Sequence, residues 1–314
     1  KKIDSTRPGL KEFHPLPFNA IAMAYEAHEG RGPLFYKVDG NPDTKPMNHN
    51  PSEHPRHPVD ESAAKRGMVR MSMGRALGQS YHLSDGVWSD GLNCETAVPG
   101  LYTAGDCLGA RSGYPMAGFA AAFCAVSGAR AGTNAAIYAG KAQETALDST
   151  EVDRLKGILW APKQRTGGFN PQWTLQVIQE TVTPYWVLLY KKENRLQAAL
   201  ENIEFIRDNI VPKLIAYDNH ELRLCCEIRS IVLHLEMKLR ASMFRQESRW
   251  YHYREDYPLR DDENWLCWIK IQDQNGEMTF TKVPVPGEWR PDPNKPYAER
   301  YPQAFPNEPA VLPN

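Results

Sequence analysis

The pattern of apolar and polar positions divides the chain into a first part of short segments and a second part of long helical periods. Residues 66–104 alternate short apolar runs with Gly, Ser, Asp and Asn, a pattern typical of strands and hairpins. The stretch "FAAAFCAVSGARAGTNAAIY", residues 119–138, predicts a helix whose small side chains allow tight packing against a sheet or a ligand. Upstream, "FNAIAMAYEAHEGRGPLFYKV" predicts a helix, a turn and a short strand.

Beyond about residue 140 the periodicity is helical. The segment "STEVDRLKGILW" opens with a capping signature, Thr150 followed by Asp153. Two longer stretches have apolar residues at helical spacing, and together they predict a helical bundle. The second stretch carries its apolar face at Leu224, Ile228, Ile231 and Leu235. From about residue 255 the chain is rich in Pro and aromatic residues, with one predicted hairpin that turns at Asn275 and Gly276.

Composition limits the classes of function. The chain has 314 residues, 41% of them hydrophobic, and a net charge of −1. Nucleic acid is therefore not an expected partner, because phosphate binding needs a clustered excess of Lys and Arg. No apolar run approaches the length of a membrane span, and the N-terminus has no signal-peptide core, so we expect a cytoplasmic protein. The chain lacks an initiator Met, from which we expect it to begin partway through a longer product.

Metal binding is not indicated by the cysteines or by the histidines. None of the six cysteines forms a CxxC pair, so we expect reduced, buried, small apolar side chains. His49, His54 and His57 lie in a loop over residues 40–62, and their spacing fits no compact ligand set. We therefore predict a solvated loop and no metal site.

The segment "GLYTAGDC" is the first candidate for chemistry. It predicts an apolar strand that ends in small residues and one carboxylate, followed by a glycine-rich loop and a helix N-terminus. Such an arrangement presents N–H donors to a polar ligand edge, and Asp106 can accept hydrogen bonds from sugar hydroxyls. A tight turn with a capping aspartate explains either feature alone, so both interpretations stay open.

The stretch "NCETAVPGLYTAGDC", with "GARAG" after it, resembles the second FAD-binding segment of the succinate dehydrogenase and fumarate reductase flavoprotein family. That family includes the adenylylsulfate reductase alpha subunit and aspartate oxidase. The resemblance implies an FAD cofactor, with the carboxylate of Asp106 on the sugar-like chain of the flavin. It also implies that a helix N-terminus faces the pyrimidine edge of the flavin, at Met116, Ala117, Gly118 and Phe119.

The same register implies a substrate site. In "SYHLSDGVW", His82 and Gly86 match a His and a Gly that the family places beside flavin and substrate; the alternative is a strand histidine satisfied by its neighbours. Where the dicarboxylate enzymes carry an Arg in the flavin loop, this chain reads "ARSGYPMAGFA", with Pro115 or its neighbours at that position. Arg111 is then our candidate for binding the anionic substrate, and succinate or fumarate as that substrate is in doubt.

Two further segments extend the resemblance over about residues 25–268. "HEGRGPLFYKV" is similar to the segment before the last strand of the family's capping domain, and "ESRWYHYREDYPLRDDENW" is similar to a C-terminal motif. The second segment is too rich in charge for a core strand. We therefore expect an ion-paired polar junction between the helical bundle and the flavin domain, formed by Glu247, Arg249, His252, Arg254 and Asp256.

The predicted fold class is α+β or α/β: the distal segment of an FAD-binding domain, a helical bundle, and an irregular tail with a β-hairpin. The predicted units are 1–65 (end of a capping domain and loop), 66–145 (FAD-binding segment), 146–255 (bundle) and 256–314 (tail). Nothing in the chain resembles the family's first GxGxxG segment, which cradles the FAD pyrophosphate. We therefore expect that this chain alone does not close around FAD.

The resemblance implies the C-terminal part of a flavoprotein oxidoreductase subunit that transfers hydride between substrate and FAD. Its implied partners are the N-terminal half of the flavoprotein, a small anionic substrate and an iron–sulfur electron-transfer subunit, with membrane attachment only through partner subunits. Two alternatives stay open. One is a helical interaction module that binds no FAD; the other is an adenylylsulfate-reductase-like flavoprotein.

Overall fold

A computed structural model describes residues 21, 24–30, 35–37, 68–70, 86–109, 119–143, 146–302, 304–305 and 308. Helix α1 comprises residue 21 and residues 24–28. Strands β1 (Phe35–Lys37) and β2 (Met68–Arg70) pair antiparallel. These elements confirm the predicted order of helix, turn and strand at the start of the chain.

Three helices form the main core. They are α4 (Pro171–Val182), α6 (Glu193–Phe205) and α7 (Asn219–Phe244). Their apolar faces meet around Leu196, Ile203 and Ile228, none of which is exposed to solvent. The side chains of Asn170 and Asp218 cap α4 and α7 by accepting backbone N–H bonds, and Pro171 occupies the first turn of α4. The predicted helical bundle is therefore present.

Helix α6 does not end abruptly. It continues as one π-helical turn (Ile206–Ile210) and one 3-10 turn (Val211–Lys213). Pro212 lies within the 3-10 turn and lacks a backbone N–H, so a regular α-helix does not continue through this point. We call residues 206–213 the connecting turns.

Two helices precede this core. They are α2 (Phe119–Ala139), where the small-residue helix was predicted, and α3 (Ser149–Gln164). The predicted capping role of Thr150 and Asp153 is wrong: the N-cap is Asp148, whose side chain accepts from the backbone N–H groups of Thr150 and Glu151. A β-region N-cap must precede the first helical residue, and Thr150 already lies within the helix.

A second, aromatic core lies beside the bundle. It contains the short helix α5 (Tyr185–Leu188), strand β3 (Tyr190–Lys191) and strand β4 (Tyr253–Arg254), which pairs parallel with β3. Ile21 and Ala24 of α1 pack here against Tyr190 and Tyr253. Helix α1 is thus fixed to the C-terminal half of the chain.

The tail contains α8 (Asp262–Trp265), strands β5 (Cys267–Gln274) and β6 (Glu277–Pro284), and α9 (Tyr297–Arg300). The two strands form the predicted hairpin. Asn275 (φ 57°) and Gly276 (φ 87°) both adopt positive φ between paired Gln274 and Glu277. Positive φ at both central residues is what a type I′ turn requires, and Asn-Gly meets it at low cost.

The predicted apolar strand in "GLYTAGDC" is wrong. Tyr102 makes a single antiparallel bridge to Glu95, Leu108 makes a single parallel bridge to Val87, and residues 105–107 form a 3-10 turn. A strand needs a continuous ladder of hydrogen bonds to a neighbour, and the part of the chain that is described supplies only these isolated bridges. The result is a helix-rich α+β fold.

All six cysteines are free, as expected. The expectation that they are buried is wrong for Cys107 and Cys124, which are exposed on the turn and on α2. None of the helices that the structure describes is both long enough and apolar enough to cross a bilayer.

Candidate functional site

The turn over Gly105–Cys107 is clamped to helix α2. Gly105 adopts φ +62°, and its N–H donates to Ser127 Oγ at 2.9 Å. Ser127 is buried, and its hydroxyl donates in turn to the carbonyl oxygen of Phe123 at 2.6 Å. Because one hydroxyl bonds both segments, the position of the turn relative to α2 is fixed.

Gly86 fixes the other side of this turn. The backbone N–H of Val87 donates to Cys107 O at 2.8 Å, and that of Gly109 donates to Val87 O at 3.0 Å. A Cβ atom on Gly86 would lie 2.6 Å from Cys107 O, which is too close for any side chain. Within the described residues the backbone at Gly86 therefore approaches this turn closely. The expected position of Gly86 beside flavin and substrate stays a prediction.

Asp106 lies at the middle of the clamped turn, and its carboxylate is exposed. The Cys124 thiol on α2 lies 3.9 Å from Asp106 Oδ1. Three positions earlier, Thr103 Oγ1 is buried and has no hydrogen-bond partner among the described residues. An exposed carboxylate held on a rigid turn beside a helix is suited to accept hydrogen bonds from the hydroxyl groups of a bound ligand.

Three of the predicted site residues fall within the described chain. The backbone at Gly86 packs on the turn that carries Asp106, and Phe119 is the first residue of α2. The other five, His82, Arg111, Met116, Ala117 and Gly118, lie outside the described residues. The clamped turn and α2 fit one edge of a flavin nucleotide: a carboxylate for hydroxyl groups and a helix lined with small residues.

The predicted polar junction is ion-paired, but it joins different elements. Glu247 is fully buried and binds the Arg249 guanidinium through both carboxylate oxygens, at 2.8 Å each. Arg254 is also fully buried and binds Asp256 and the first residue of α6, Glu193. The expectation that this cluster joins the bundle to the flavin segment is thus corrected, because its contacts among the described residues lie on the bundle and the tail.

His252 belongs to this structural network. Burial, followed by the nearby charges of Lys191 and Arg245, holds its pKa well below the usual value, and its Nε2 lies 3.1 Å from Arg245 O. A histidine held neutral in this way positions backbone and does not need a substrate to explain it.

Sequence reasoning missed Lys191. This lysine is 5% exposed, its Nζ donates to Tyr251 O at 3.4 Å, and no carboxylate pairs with it among the described residues. Burial, then the charges of Lys238 and Arg254, lowers its pKa to about 7. The sequence around it, "LLYKKEN", gives no sign which of two adjacent lysines is buried.

Within the described part of the chain, no three His, Cys, Asp or Glu side chains come close enough together to hold a metal ion. The clamped Gly-Asp turn, the small-residue helix α2 and the helical bundle follow one another in the order that the sequence resemblance implies for the C-terminal region of a flavin-dependent oxidoreductase.

Comparison with known proteins supports this class. Residues 176–296 match the family described as the fumarate reductase flavoprotein C-terminal region. An uncharacterized FAD-dependent oxidoreductase of Methanocaldococcus jannaschii is 30% identical over 195 residues, covering 60% of this chain and 34% of that protein. The 8-methylmenaquinol:fumarate reductase flavoprotein subunit of Wolinella succinogenes is 28% identical over 205 residues, covering 58% of this chain and 31% of that protein.

The fold of this chain is also similar to that of solved structures. A quinol-fumarate reductase with menaquinol molecules superposes with a TM-score of 0.61 at 18% identity, covering 85% of this chain and 49% of that one. Mycobacterium smegmatis Sdh1 in complex with UQ1 superposes with a TM-score of 0.57 at 25% sequence identity, and the match covers 66% of this chain and 36% of that one.

The C-terminal part of the chain is thus similar to the flavoprotein subunits of fumarate reductase and succinate dehydrogenase, as the sequence resemblance predicted. The chain spans about a third of the length of the curated relatives it matches.

Proposed function

We propose that this chain is the C-terminal part of a flavoprotein oxidoreductase subunit that transfers hydride between a small anionic substrate and FAD. The observation that carries the proposal is the clamped turn, which holds the exposed carboxylate of Asp106 against α2. The relatives named as FAD-dependent oxidoreductases and fumarate reductase flavoproteins support the same chemistry.

The exposed surface of α2 supports an incomplete flavin domain. Of its described side chains only Ser127 and Ala131 are buried, although Val126 and Ile137 are apolar and each is 52% exposed. A helix with this composition is normally covered. We propose that residues 66–145 complete an FAD-binding domain with the N-terminal half of the flavoprotein, that 1–65 end a capping domain, and that 146–255 and 256–314 are the bundle and the tail.

In this proposal the predicted site residues have the following roles. FAD, when bound, supplies the hydride acceptor or donor. Asp106 accepts hydrogen bonds from the hydroxyl groups of the cofactor, Gly86 holds the turn in place, and the segment from Met116 to Phe119 faces the flavin edge. The Arg111 guanidinium binds the anionic substrate, and His82 orients it.

We further propose that electrons pass to or from an iron–sulfur subunit. The structural neighbours include a quinol-fumarate reductase and the Sdh1 complex of Mycobacterium smegmatis, which supports association with partner subunits. The chain would then be a cytoplasmic protein attached to the membrane only through those partners.

The test is Asp106→Ala in the chain assembled with the protein encoded upstream. Hydrogen bonds to a charged group contribute about 1.5–3 kcal/mol, so FAD should bind at least about tenfold more weakly, measured by flavin fluorescence titration. Asp153→Ala removes another exposed carboxylate, on α3, and should leave the FAD Kd unchanged. Equal FAD affinity in both variants would contradict the assignment of Asp106.

A helical interaction module is the second candidate. It is favoured by the position of the family match, which covers residues 176–296 and so lies within the bundle and the tail. This candidate predicts no FAD binding even in the presence of the upstream protein.

A further inference from the structure

An open groove of about 660 Å³ lies between α3, α7 and the connecting turns. Helix α3 lines it with Arg154, Gly157, Ile158 and Ala161, which are spaced as one face of a helix. Helix α7 forms the opposite wall with Val232 and Leu233. The floor of the groove is thus apolar, and its α3 wall continues to Arg165, a length of about 16 Å at 1.5 Å per residue.

The rim of the groove is positively charged. Among the described residues, four arginines line the groove and no acidic residue does. Arg154 is already paired with Glu151, and Arg207 is paired with Asp208 and Glu236. The charges of these two arginines are therefore largely neutralised.

The other two arginines have no carboxylate partner among the described residues. Arg165 donates to Leu214 O at 2.6 Å, and Arg229 donates to Ile158 O at 3.2 Å. Both positive charges lie close enough to the Cys225 thiol to oppose the rise that burial causes in its pKa. Backbone carbonyls orient the two guanidinium groups but leave their net charge uncompensated.

Helix α3 is poorly covered by the rest of the molecule. Its one buried residue is Pro162, and Ile158, which lines the groove, is 42% exposed. Across the groove, Leu233 of α7 is 53% exposed. An apolar side chain on each wall, Ile158 and Leu233, is therefore partly exposed to solvent in the groove.

We propose that this groove binds an acidic amphipathic α-helix of a protein partner. Its length and its two helical walls suit a helix that inserts residues at i, i+3, i+4 and i+7. The uncompensated charges of Arg165 and Arg229 select carboxylates on the flanks of that helix. The surface is separate from the clamped turn, and the inference does not depend on the proposed flavin chemistry.

The test is fluorescence anisotropy with a labelled synthetic helical peptide that carries Leu at i, i+3, i+4 and i+7 and Glu on both flanks. A second peptide has Lys in place of each Glu. The protein variants are Arg165→Gln, Arg229→Gln and Leu233→Glu, with Arg223→Gln as a matched control, since Arg223 is on α7 outside the groove and pairs with Glu227. Circular dichroism checks that each variant is folded, and Leu233 is exposed enough to be changed without disturbing the core.

The expected result is salt-sensitive binding of the Glu peptide but not of the Lys peptide. Each arginine substitution should weaken binding roughly fivefold, Leu233→Glu should abolish it, and Arg223→Gln should leave it unchanged. Equal binding of both peptides, or equal binding to all variants, would overturn the proposal. So would binding of dodecanoate or of anionic phosphatidylglycerol vesicles that depends on the two arginines while the Glu peptide does not bind.

Discussion

Glu247 is the side chain on which the buried ion-pair network depends. Its two oxygens accept from Arg245, from Arg249 and from the backbone N–H of Asp261, and it has no exposed surface. Removal of its charge leaves two guanidinium groups near the core without their shared counterion.

Glu247→Gln should therefore lower the free energy of unfolding by about 3–5 kcal/mol, the usual cost of breaking a buried pair. Urea denaturation monitored by circular dichroism measures this. Glu151→Gln removes a carboxylate from the exposed pair with Arg154 and should leave the free energy of unfolding nearly unchanged. Similar losses in the two variants would contradict the role given to Glu247.

Lys191 makes stability depend on pH in a defined window. Its pKa in the folded chain is about 7, whereas an unfolded lysine titrates near about 10.4. Between these values the unfolded state binds more protons, so the free energy of unfolding rises with pH from about 7 to about 10.4. The lowered pKa of His252 acts in the same direction but below about pH 6.5.

Lys191→Met should remove the increase in the free energy of unfolding between about pH 7 and about pH 10.4. Urea denaturation of both proteins at pH 7 and pH 9 is the measurement. We expect the variant to be more stable than the parent at pH 7, because no buried charge remains, with a smaller difference at pH 9. A difference that is the same at both pH values would show that Lys191 does not titrate in this window.

At the scale of elements, Gly168 joins α3 to α4. It adopts φ +154°, and a Cβ there would lie 2.0 Å from Lys213 O and 2.8 Å from Ile215 Cγ2. The neighbouring backbone pairs with the segment after the connecting turns through Phe169 N and Lys213 O, at 2.9 Å. The glycine is what lets these two segments meet.

Gly168→Ala should cost at least about 3 kcal/mol of stability, because it combines backbone strain with a steric clash. Gly167→Ala is the matched control, since nothing lies within 4 Å of a Cβ at that position. Thermal denaturation of the two variants compares them, and equal midpoints would contradict the close approach.

The elements that sequence predicted are those whose signals are local. Apolar spacing identified α7, and Asn275-Gly276 identified the hairpin, because periodicity and turn chemistry act within a few residues. The π and 3-10 turns after α6 and the burial of Lys191 were missed because both depend on packing between distant segments. In the candidate site, the contact between Gly86 and the turn at Cys107 is a tertiary contact that no local signal indicates, and the position of Gly86 beside the flavin stays a prediction.

At the scale of the whole molecule, the helices differ in how firmly they are held. Helices α4, α6 and α7 share one large apolar core, whereas α2 buries only Ser127 and Ala131 among its described side chains. Hydrogen exchange measured by mass spectrometry should therefore show slow exchange in α7 and fast exchange in α2. Exchange in α2 as slow as in α7 would contradict the view that α2 is an uncovered surface.

The visible absorption spectrum of the chain purified with FAD, alone and together with the protein encoded immediately upstream, tests the central claim most directly. We predict no bound-flavin band for the chain alone and a clear band for the pair, because the clamped turn and α2 contribute only one edge of the cofactor site. Absence of the band from the assembled pair would contradict the flavoprotein assignment and favour the helical interaction module.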